Sequence, residues 1–373
     1  MYKPIITFLN HSAFIVSYRN TKILCDPWFF GSAFQEGWEL LYDRSHDIND
    51  LDFDYIWISH EHPDHFSIPT LKSLNKKTTF LYQQTNDKKV LNYLEGQGHK
   101  VIEIEDKQRI KIGDINIVLF ICDGYDSSIL FEFDNKYSFL NINDSRVDIN
   151  DQLEKDIIPH LSINKVDLLA FQFSYANWAG NKGDIDIAKD QQRLTDNKNI
   201  YILEKIKPIN CLLTASYVYY CHEENFFWND NFFLEDALNS LEKTNFGTQI
   251  IVPEPNQKFD LPKINPDLKL SNKKAINFWK ELHKSREIKF RTKTINDIDQ
   301  LKNSYFKFYE RIFSRNRLIR KLTGVIDPKY FNLEILLEDI DKKVKISLFK
   351  KDFYIFTDKK ENEKYDISIT SET

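Results

Sequence analysis

Four residues within one short stretch carry the strongest chemical signal in the sequence: His60-x-His62-x-Asp64-His65. On an extended segment, side chains two apart point the same way. His60 and His62 can therefore grip one metal ion, while Asp64 and His65, at the turn that follows, face a second. Imidazole suits zinc and iron, and a carboxylate adds charge compensation. Only 9 of the 373 residues are His, so this spacing rarely arises by chance; the competing reading is a polar surface loop. Two later residues are candidates to complete the site. Asp144 ends the run Leu140-Asn141-Ile142-Asn143-Asp144, where a carboxylate could bridge two ions. His222 follows Tyr217-Val218-Tyr219-Tyr220-Cys221 and could cap the second ion. As lone residues, both have ordinary structural readings. The expected cofactor is one or two divalent metal ions.

The elements around the motif are those that would position it. Asp54 to Ser59 is a nearly continuous apolar run, as in a strand buried on both faces, and it leads straight into His60. Beyond the motif, Ile68 to Leu74 reads as a helix with Pro in its first turn. Before it, Ile5–Phe8, Ala13–Val16 and Thr21–Cys25 read as three short strands of an antiparallel meander. After it come a strand at 79–82, a helix at 87–97, and strands at 101–104, 115–120, 128–133 and 136–141, then buried runs at 166–171 and 209–214. This pattern predicts sheets packed face to face with helices outside. Pro253, Pro255, Pro262 and Pro266 suggest a boundary. The expected domains are a catalytic domain at 1–255 and a helical extension at 256–373. The extension has helices at 276–286 and 295–322 and ends in a small sheet built from 344–349, 352–356 and 365–369. Arg311, Arg315, Arg317, Arg320 and Lys321 read as a solvated helix face or a polyanion contact.

Composition removes several classes. Hydrophobic residues are 42% and aromatics 14%, enough for a sizeable core and too many for a disordered chain. A net charge of −5 gives no basic excess, so no nucleic-acid partner is expected. No apolar run reaches membrane-spanning length, and the first residues lack an apolar stretch with a cleavage site. Cys25, Cys122, Cys211 and Cys221 are scattered without a C-x-x-C pair, so the expected compartment is a reducing cytoplasm. Cys221, beside His222, reads as a buried inert thiol.

The His-x-His-x-Asp-His motif after a buried strand resembles the metallo-β-lactamase superfamily. So do Asn10-His11-Ser12-Ala13-Phe14 and Ile23-Leu24-Cys25-Asp26-Pro27. The resemblance implies a four-layer αββα sandwich (α/β in class) with the metal site at one edge of the sheets. It implies Asp144 as the bridging carboxylate, His222 as the last histidine, and Asp26 as a residue that orients the metal loop; an Asp-Pro turn starter is the plainer reading of Asp26. A narrower likeness joins Asp26 to Phe34, Gly37 to Leu41, Ile56 to Leu71, Asn141 to Arg146 and Tyr217 to His222. These are similar to the catalytic region of the CMP-N-acetylneuraminic acid hydroxylases, over most of residues 1–250. Two departures stand out. No Cys-x-His…Cys-x-x-His pattern of the Rieske domain of those hydroxylases is present. The superfamily's third histidine for the first ion is also missing. Only His99 lies between the motif and Asp144, in a polar turn, while Asp123 or Asp126 could substitute as an oxygen ligand. Oxygen ligands favour iron over zinc, with manganese and zinc as alternatives.

Three functions compete. Metal-activated water would hydrolyse a phosphodiester, lactone or amide, with Asp64 orienting the water while it ligates. Iron held by His and carboxylate would oxygenate a small molecule, a sugar nucleotide or an acylated sugar by the hydroxylase resemblance. Electrons would then come from a separate protein, since no G-x-G-x-x-G cofactor fingerprint is present. A non-catalytic binding role is the third, and the intact motif counts against it. Trp28, Trp38 and Trp178 could stack on a sugar or base or simply pack in the core. Arg146 could meet a phosphate or carboxylate, or form a surface ion pair. Strand alternation sends Tyr217 and Tyr219 to one face and Tyr220 to the other.

Overall fold

The structure, a computed structural model, describes residues 2–43, 47–122, 125–161, 166–175, 181–244, 246–262, 267–290, 297–315, 332–338, 340–347, 352–356 and 366–369. The chain divides into two compact units between Lys289 and Phe290. The division lies beyond the boundary expected near Pro255. The segment following those prolines is bound into the first unit: a strand at Lys258–Asp260 pairs with the first strand of the chain, and Trp279 stacks on the buried Tyr217 with ring centroids 4.0 Å apart.

Among the described residues, sixteen strands and five α-helices build the first unit. They are β1 (Ile5–Asn10), β2 (Ala13–Tyr18), β3 (Thr21–Cys25), β4 (Trp38–Leu40), β5 (Tyr55–Trp57), α1 (Ile68–Lys72), β6 (Thr79–Gln83), α2 (Lys89–Gly96), β7 (Lys100–Ile104), β8 (Arg109–Ile112), β9 (Ile115–Cys122) and β10 (Asp126–Phe133). The series continues with β11 (Tyr137–Asn143), β12 (Leu168–Gln172), α3 (Ile185–Ile206), β13 (Asn210–Thr214), β14 (Val218–Tyr220), α4 (Leu234–Glu242), β15 (Gln249–Ile251), β16 (Lys258–Asp260) and α5 (Leu268–Lys284).

Two seven-stranded sheets result, ordered β16-β1-β2-β3-β5-β6-β7 and β15-β13-β12-β11-β10-β9-β8, with β14 and β4 forming a separate ribbon. In the first sheet the meander β1–β2–β3 is antiparallel, and β3, β5, β6 and β7 run parallel. In the second, β8 to β11 are antiparallel, and β11, β12, β13 and β15 are parallel. The inner faces share one core: Phe8, Phe14 and Trp57 of the first sheet join Phe120, Phe131 and Phe139 of the second. Phe14 meets Phe139 edge-on at 5.7 Å. The outer face of the first sheet is covered by Leu71 of α1 and by Val90 and Leu94 of α2. Helices α3, α4 and α5 add Ile202, Leu241 and Trp279 to the main core. The order is helix, sheet, sheet, helix, the αββα sandwich expected from the sequence.

Tyr217 and Tyr219 enter the main core, whereas Tyr220 packs with Trp38, as alternation requires. All four cysteines are buried and free. Among the described residues, no helix is long and apolar enough to cross a membrane.

The second unit contains α6 (Ile298–Arg315) and a four-stranded sheet in the order β19-β18-β17-β20. Its strands are β17 (Asn332–Leu337), β18 (Lys342–Ser347), β19 (Phe353–Phe356) and β20 (Ile367–Ile369). Tyr305 of α6 donates to the carbonyl of Ser347 and packs on Phe353, with ring centroids 5.8 Å apart. Of the expected basic cluster, Arg317, Arg320 and Lys321 lie outside the described residues.

Candidate metal centre

The site lies where strand ends of both sheets meet. Strands β1, β3 and β5 end at one edge of the first sheet and deliver His11, Asp26 and the Ser59–His65 segment. In the second sheet, β11 ends beside Asp144 and β10 begins at Asp126. Beyond β5, Ile58 N–H still donates to Leu81 O at 3.2 Å, so the approach to His60 is held in the sheet. The chain then turns: His65 and Phe66 N–H both donate to His62 O, at 3.0 and 2.7 Å. Ser67 caps α1 by accepting from Thr70 N–H. The motif is therefore fixed at both ends. His11 occupies the tight β1–β2 turn at φ 31°, in the left-handed region, and its carbonyl accepts from Ala215 N–H at 2.8 Å.

The donor atoms fall into two groups, His60–His62–Asp144 and His11–Asp64–His65. His60 Nε2 lies 2.7 Å from His62 Nδ1. Asp144 Oδ2 is 3.7 Å from His60 Nε2 and 3.7 Å from His65 Nε2, midway between the groups. Asp64 Oδ2 is 3.4 Å from His11 Nε2 and 3.3 Å from His65 Nε2. Asp126 Oδ1 approaches His60 Nε2 at 3.8 Å, so a carboxylate stands where the third histidine was missed.

Asp26 is fully buried behind this cluster and accepts from four donors. Ser59 N–H and Oγ–H reach it at 2.7 Å each, Asn143 Nδ2 at 2.7 Å and His65 Nδ1 at 3.0 Å. With Nδ1 donating to Asp26, Nε2 is the atom left facing Asp64 and Asp144, the orientation a metal ligand needs once that nitrogen gives up its proton. His60 Nδ1 similarly meets Ser59 Oγ at 3.0 Å.

The electrostatics are divided. Burial lowers the pKa of His60 and His11, only partly opposed by Asp144 and by Asp64 respectively. Burial acts in the same sense on His65, but the Asp64 and Asp144 charges and the Asp26 hydrogen bond outweigh it and hold its pKa well above the usual range. Burial would raise Asp64, yet His65 and His11 hold it well below the usual carboxylate range. Burial likewise opposes ionisation of Asp144, and His60 and His65 prevail to lower it; burial and the Asp144 charge raise Asp126. Asp64 Oδ1, Asp144 Oδ1 and both ring nitrogens of His11 are buried without a hydrogen-bond partner. Unpartnered buried donors and acceptors are costly. This set of imidazoles and carboxylates converging on two points is therefore one that divalent ions fit.

Of the residues expected from the sequence, the structure brings together His60, His62, Asp64, His65 and Asp144. His222 enters neither group. The short β14–β4 ribbon turns it into a local loop, where its N–H donates to Asn225 Oδ1 at 3.1 Å and its Nδ1 accepts from Glu224 N–H at 3.3 Å. His11 occupies the position in the second group that was expected for His222. It was visible only as a turn residue between two strands. His99 accepts from Thr78 N–H at 3.3 Å and packs on Phe80, outside both groups. Asp123 and Trp178 lie outside the described residues. Trp28 is buried against His11, with centroids 5.6 Å apart. Arg146 grips Asp148 through two hydrogen bonds of 2.9 and 3.0 Å.

A cavity of about 540 Å³ opens onto these groups. Its lining includes His62, Asp64 and Asp144 and the aromatic rings of Phe34, Trp38, Tyr175 and Tyr201. Gln191, Leu194, Thr195, Lys198 and Tyr201, one face of α3, form a wall. The long helix α3 was not anticipated from the sequence.

Fold and site together define a metallo-β-lactamase-type domain. Residues 5–132 match the profile of the beta-lactamase superfamily domain, and the αββα sandwich agrees with that match. Its sequence relatives include the Cytidine monophosphate-N-acetylneuraminic acid hydroxylase of Xenopus laevis, 30% identical over 165 residues, or 43% of this chain and 24% of the relative. The hydroxylase of the same name from Danio rerio is 32% identical over 119 residues, or 31% of this chain and 18% of that one. The matched region is thus a quarter or less of those proteins. Among solved structures, CmlA, a diiron beta-hydroxylase from Streptomyces venezuelae, aligns with a TM-score of 0.48 at 16% identity. That alignment covers 69% of this chain and 54% of CmlA. A possible metal-dependent hydrolase from Veillonella parvula aligns with a TM-score of 0.47 at 15% identity, covering 69% of this chain and 100% of that one.

Proposed function

We propose that the chain is a metal-dependent oxygenase that hydroxylates a sugar nucleotide or acylated sugar, taking electrons from a separate electron-transfer protein. The observation that supports this reading best is the donor set: each group offers two imidazoles and one carboxylate. That combination holds non-haem iron with positions left open. His60, His62 and Asp144, with Asp126 beside them, would hold one ion. His11, Asp64 and His65 would hold the other, with Asp144 shared. Iron in these positions would supply activation of dioxygen. Inserting one oxygen atom into a C–H bond while the other leaves as water consumes two electrons and two protons beyond those of the substrate, which is why an external donor belongs to the proposal. The similarity to the hydroxylases points to the same substrate class.

The chain's own residues have definite tasks in this reading. Asp26 fixes the His65 tautomer. Asp64 lines the cavity with Oδ1 unpartnered, so it can orient a water at that atom. Phe34 and Trp38, whose rings are 4.5 Å apart, form an apolar wall beside His62 that suits a sugar or base face.

Elemental analysis of anaerobically purified protein, paired with a His62→Ala variant, tests the proposal. Iron at both positions, reduced in the variant, with reductant-dependent oxygen consumption, is the expected result. Zinc or manganese with oxygen-independent turnover of phosphodiesters or lactones would overturn it in favour of a hydrolase.

A further inference from the structure

Lys198 is a buried cation that the metal groups do not use. It sits on α3, buried, and lines the same cavity as His62, Asp64 and Asp144. Lysines near a surface usually extend their ammonium into bulk water; this one is turned into the cavity wall. Its backbone is pinned there. The adjacent Asn199 donates from Nδ2 to Gln172 O at 2.9 Å, and Gln192 donates to Phe173 O at 2.9 Å, tying α3 to the end of β12. Among the described residues, no carboxylate forms an ion pair with it. The carboxylates acting on it from a distance are Asp144, Asp148 and Asp126. Asp148 is held by Arg146, and Asp144 and Asp126 face His60. An ammonium on a buried side chain, open only to the cavity and without a direct counter-ion, is poorly compensated unless something in the cavity pairs with it.

We propose that Lys198 is a specificity residue that binds an anionic group of the substrate, a carboxylate or a phosphate, within the cavity beside the metal centre. The inference rests on the cavity being the substrate site of the proposed function, and it narrows that substrate to an anion. Charge supports it: two divalent ions would be balanced by Asp26, Asp64, Asp126 and Asp144, and Lys198 leaves a positive excess on the cavity wall. The cavity would attract anions. Burial lowers the Lys198 pKa, and the Asp144 and Asp148 charges oppose the shift; a bound anion acts in the same direction as those carboxylates.

The test is calorimetric titration of the full chain, metal-free and manganese-loaded, with inorganic phosphate and separately with N-acetylneuraminate. Wild type is compared with Lys198→Met, which is near Lys in volume, and with Lys198→Arg. The expected result is at least tenfold weaker binding of one probe to Lys198→Met, with partial recovery in Lys198→Arg and unchanged manganese content. Which probe responds identifies a phosphate or a carboxylate as the group bound. Equal affinity of wild type and Lys198→Met for both probes would overturn the proposal, as would failure of wild type to bind either. So would loss of manganese from Lys198→Met, which would make Lys198 a support for Asp144. Should wild type take up no metal, the oxygenase reading fails, while the metal-free titration still reads Lys198.

Discussion

Replacing Asp26 with Asn tests whether a buried carboxylate sets the protonation of the site. Asp26 sits at φ 39°, a left-handed conformation that Asn tolerates nearly as well as Asp, so the change alters chemistry more than backbone. The carboxylate accepts from Ser59 N, Ser59 Oγ, Asn143 Nδ2 and His65 Nδ1. An amide offers one oxygen and one NH₂. If the oxygen keeps Ser59 N–H, the NH₂ faces His65 Nδ1 and Asn143 Nδ2, both donors in the wild type. The clash at His65 is relieved by moving its proton to Nε2, so that Nδ1 accepts. That proton then occupies the atom 3.3 Å from Asp64 and 3.7 Å from Asp144, where an ion would be held. Loss of such a supporting partner typically lowers metal affinity by about 10–100-fold, or about 1.4 to 2.8 kcal/mol. The weakened hydrogen bonds to a charged acceptor remove roughly 1.5–3 kcal/mol from the metal-free fold. Chelator competition with a chromophoric ligand, resolving two binding steps, is the assay. The Asp26→Asn protein should lose the His11–Asp64–His65 ion first, with a smaller effect on the other, which Asp26 reaches only through Ser59. Retention of both ions at wild-type affinity would refute the reasoning.

Other perturbations separate the remaining assignments. His11→Ala should reduce bound metal toward a single ion, whereas His222→Ala should leave stoichiometry unchanged; the reverse pattern in elemental analysis would reinstate His222 as a ligand. The pKa of Asp64 is depressed on folding, so its stabilising contribution is present above the ordinary 3.8 and is lost as pH falls through the lower folded value. The pKa of His65 is raised, so its contribution is complete below the ordinary 6.5 and is lost as pH rises through the higher folded value. Denaturant unfolding of metal-free protein should therefore weaken at both extremes, and divalent metal, which needs neutral imidazole, should extend stability upward in pH. Gly113 lies at φ +56° with Thr21 packed where a Cβ would stand. Gly113→Ala should cost about 1–3 kcal/mol in unfolding free energy, and a neutral result would show that the β8–β9 turn yields.

The parts of the site that were legible share a reason. His60, His62, Asp64 and His65 are local in sequence, and the apolar run before them marks a buried strand. Asp144 ends another such run. His11 was opaque because its partners are more than fifty residues away, and a His between two strands looks like any turn residue. Only the fold reveals that it is buried, at positive φ, and next to Asp64. Helix α3 was opaque for a different reason. Its buried positions include Gln192, Lys198 and Asn199, which blur the apolar stripe that normally announces a helix. These polar residues are inward because they tie α3 to the end of β12 or face the cavity. Tertiary ties and a cavity-facing position thus blurred the signal that would have placed the helix. The prolines near 255 do not mark the division: Pro253, Pro255 and Pro262 lie within the first unit, and the stacking of Trp279 on Tyr217 carries that unit past them.

The placement of the donors has a consequence for how folding and chemistry are linked. His11, His60, His62, Asp64 and His65 come from one sheet, and Asp126 and Asp144 from the other. Polar contacts cross the seam between them at this end, among them Asn143 Nδ2 to Asp26 at 2.7 Å and Ser127 Oγ to Ser59 O at 2.6 Å. At the far end Tyr18 donates to Asp134 at 2.6 Å and Asp114 N–H to Thr21 Oγ1 at 2.8 Å, and between the two ends the sheets are joined by apolar packing, which is non-directional and tolerates small shifts. The hydrogen bonds are directional, and they set the distance between Asp144 and the two imidazoles that flank it. An ion shared through Asp144 would be coordinated from both sheets at once, so its affinity would depend on the register of one sheet against the other. Substitutions along this polar seam should therefore alter metal binding before they alter global stability, whereas substitutions in the Phe14–Phe139 core should do the opposite.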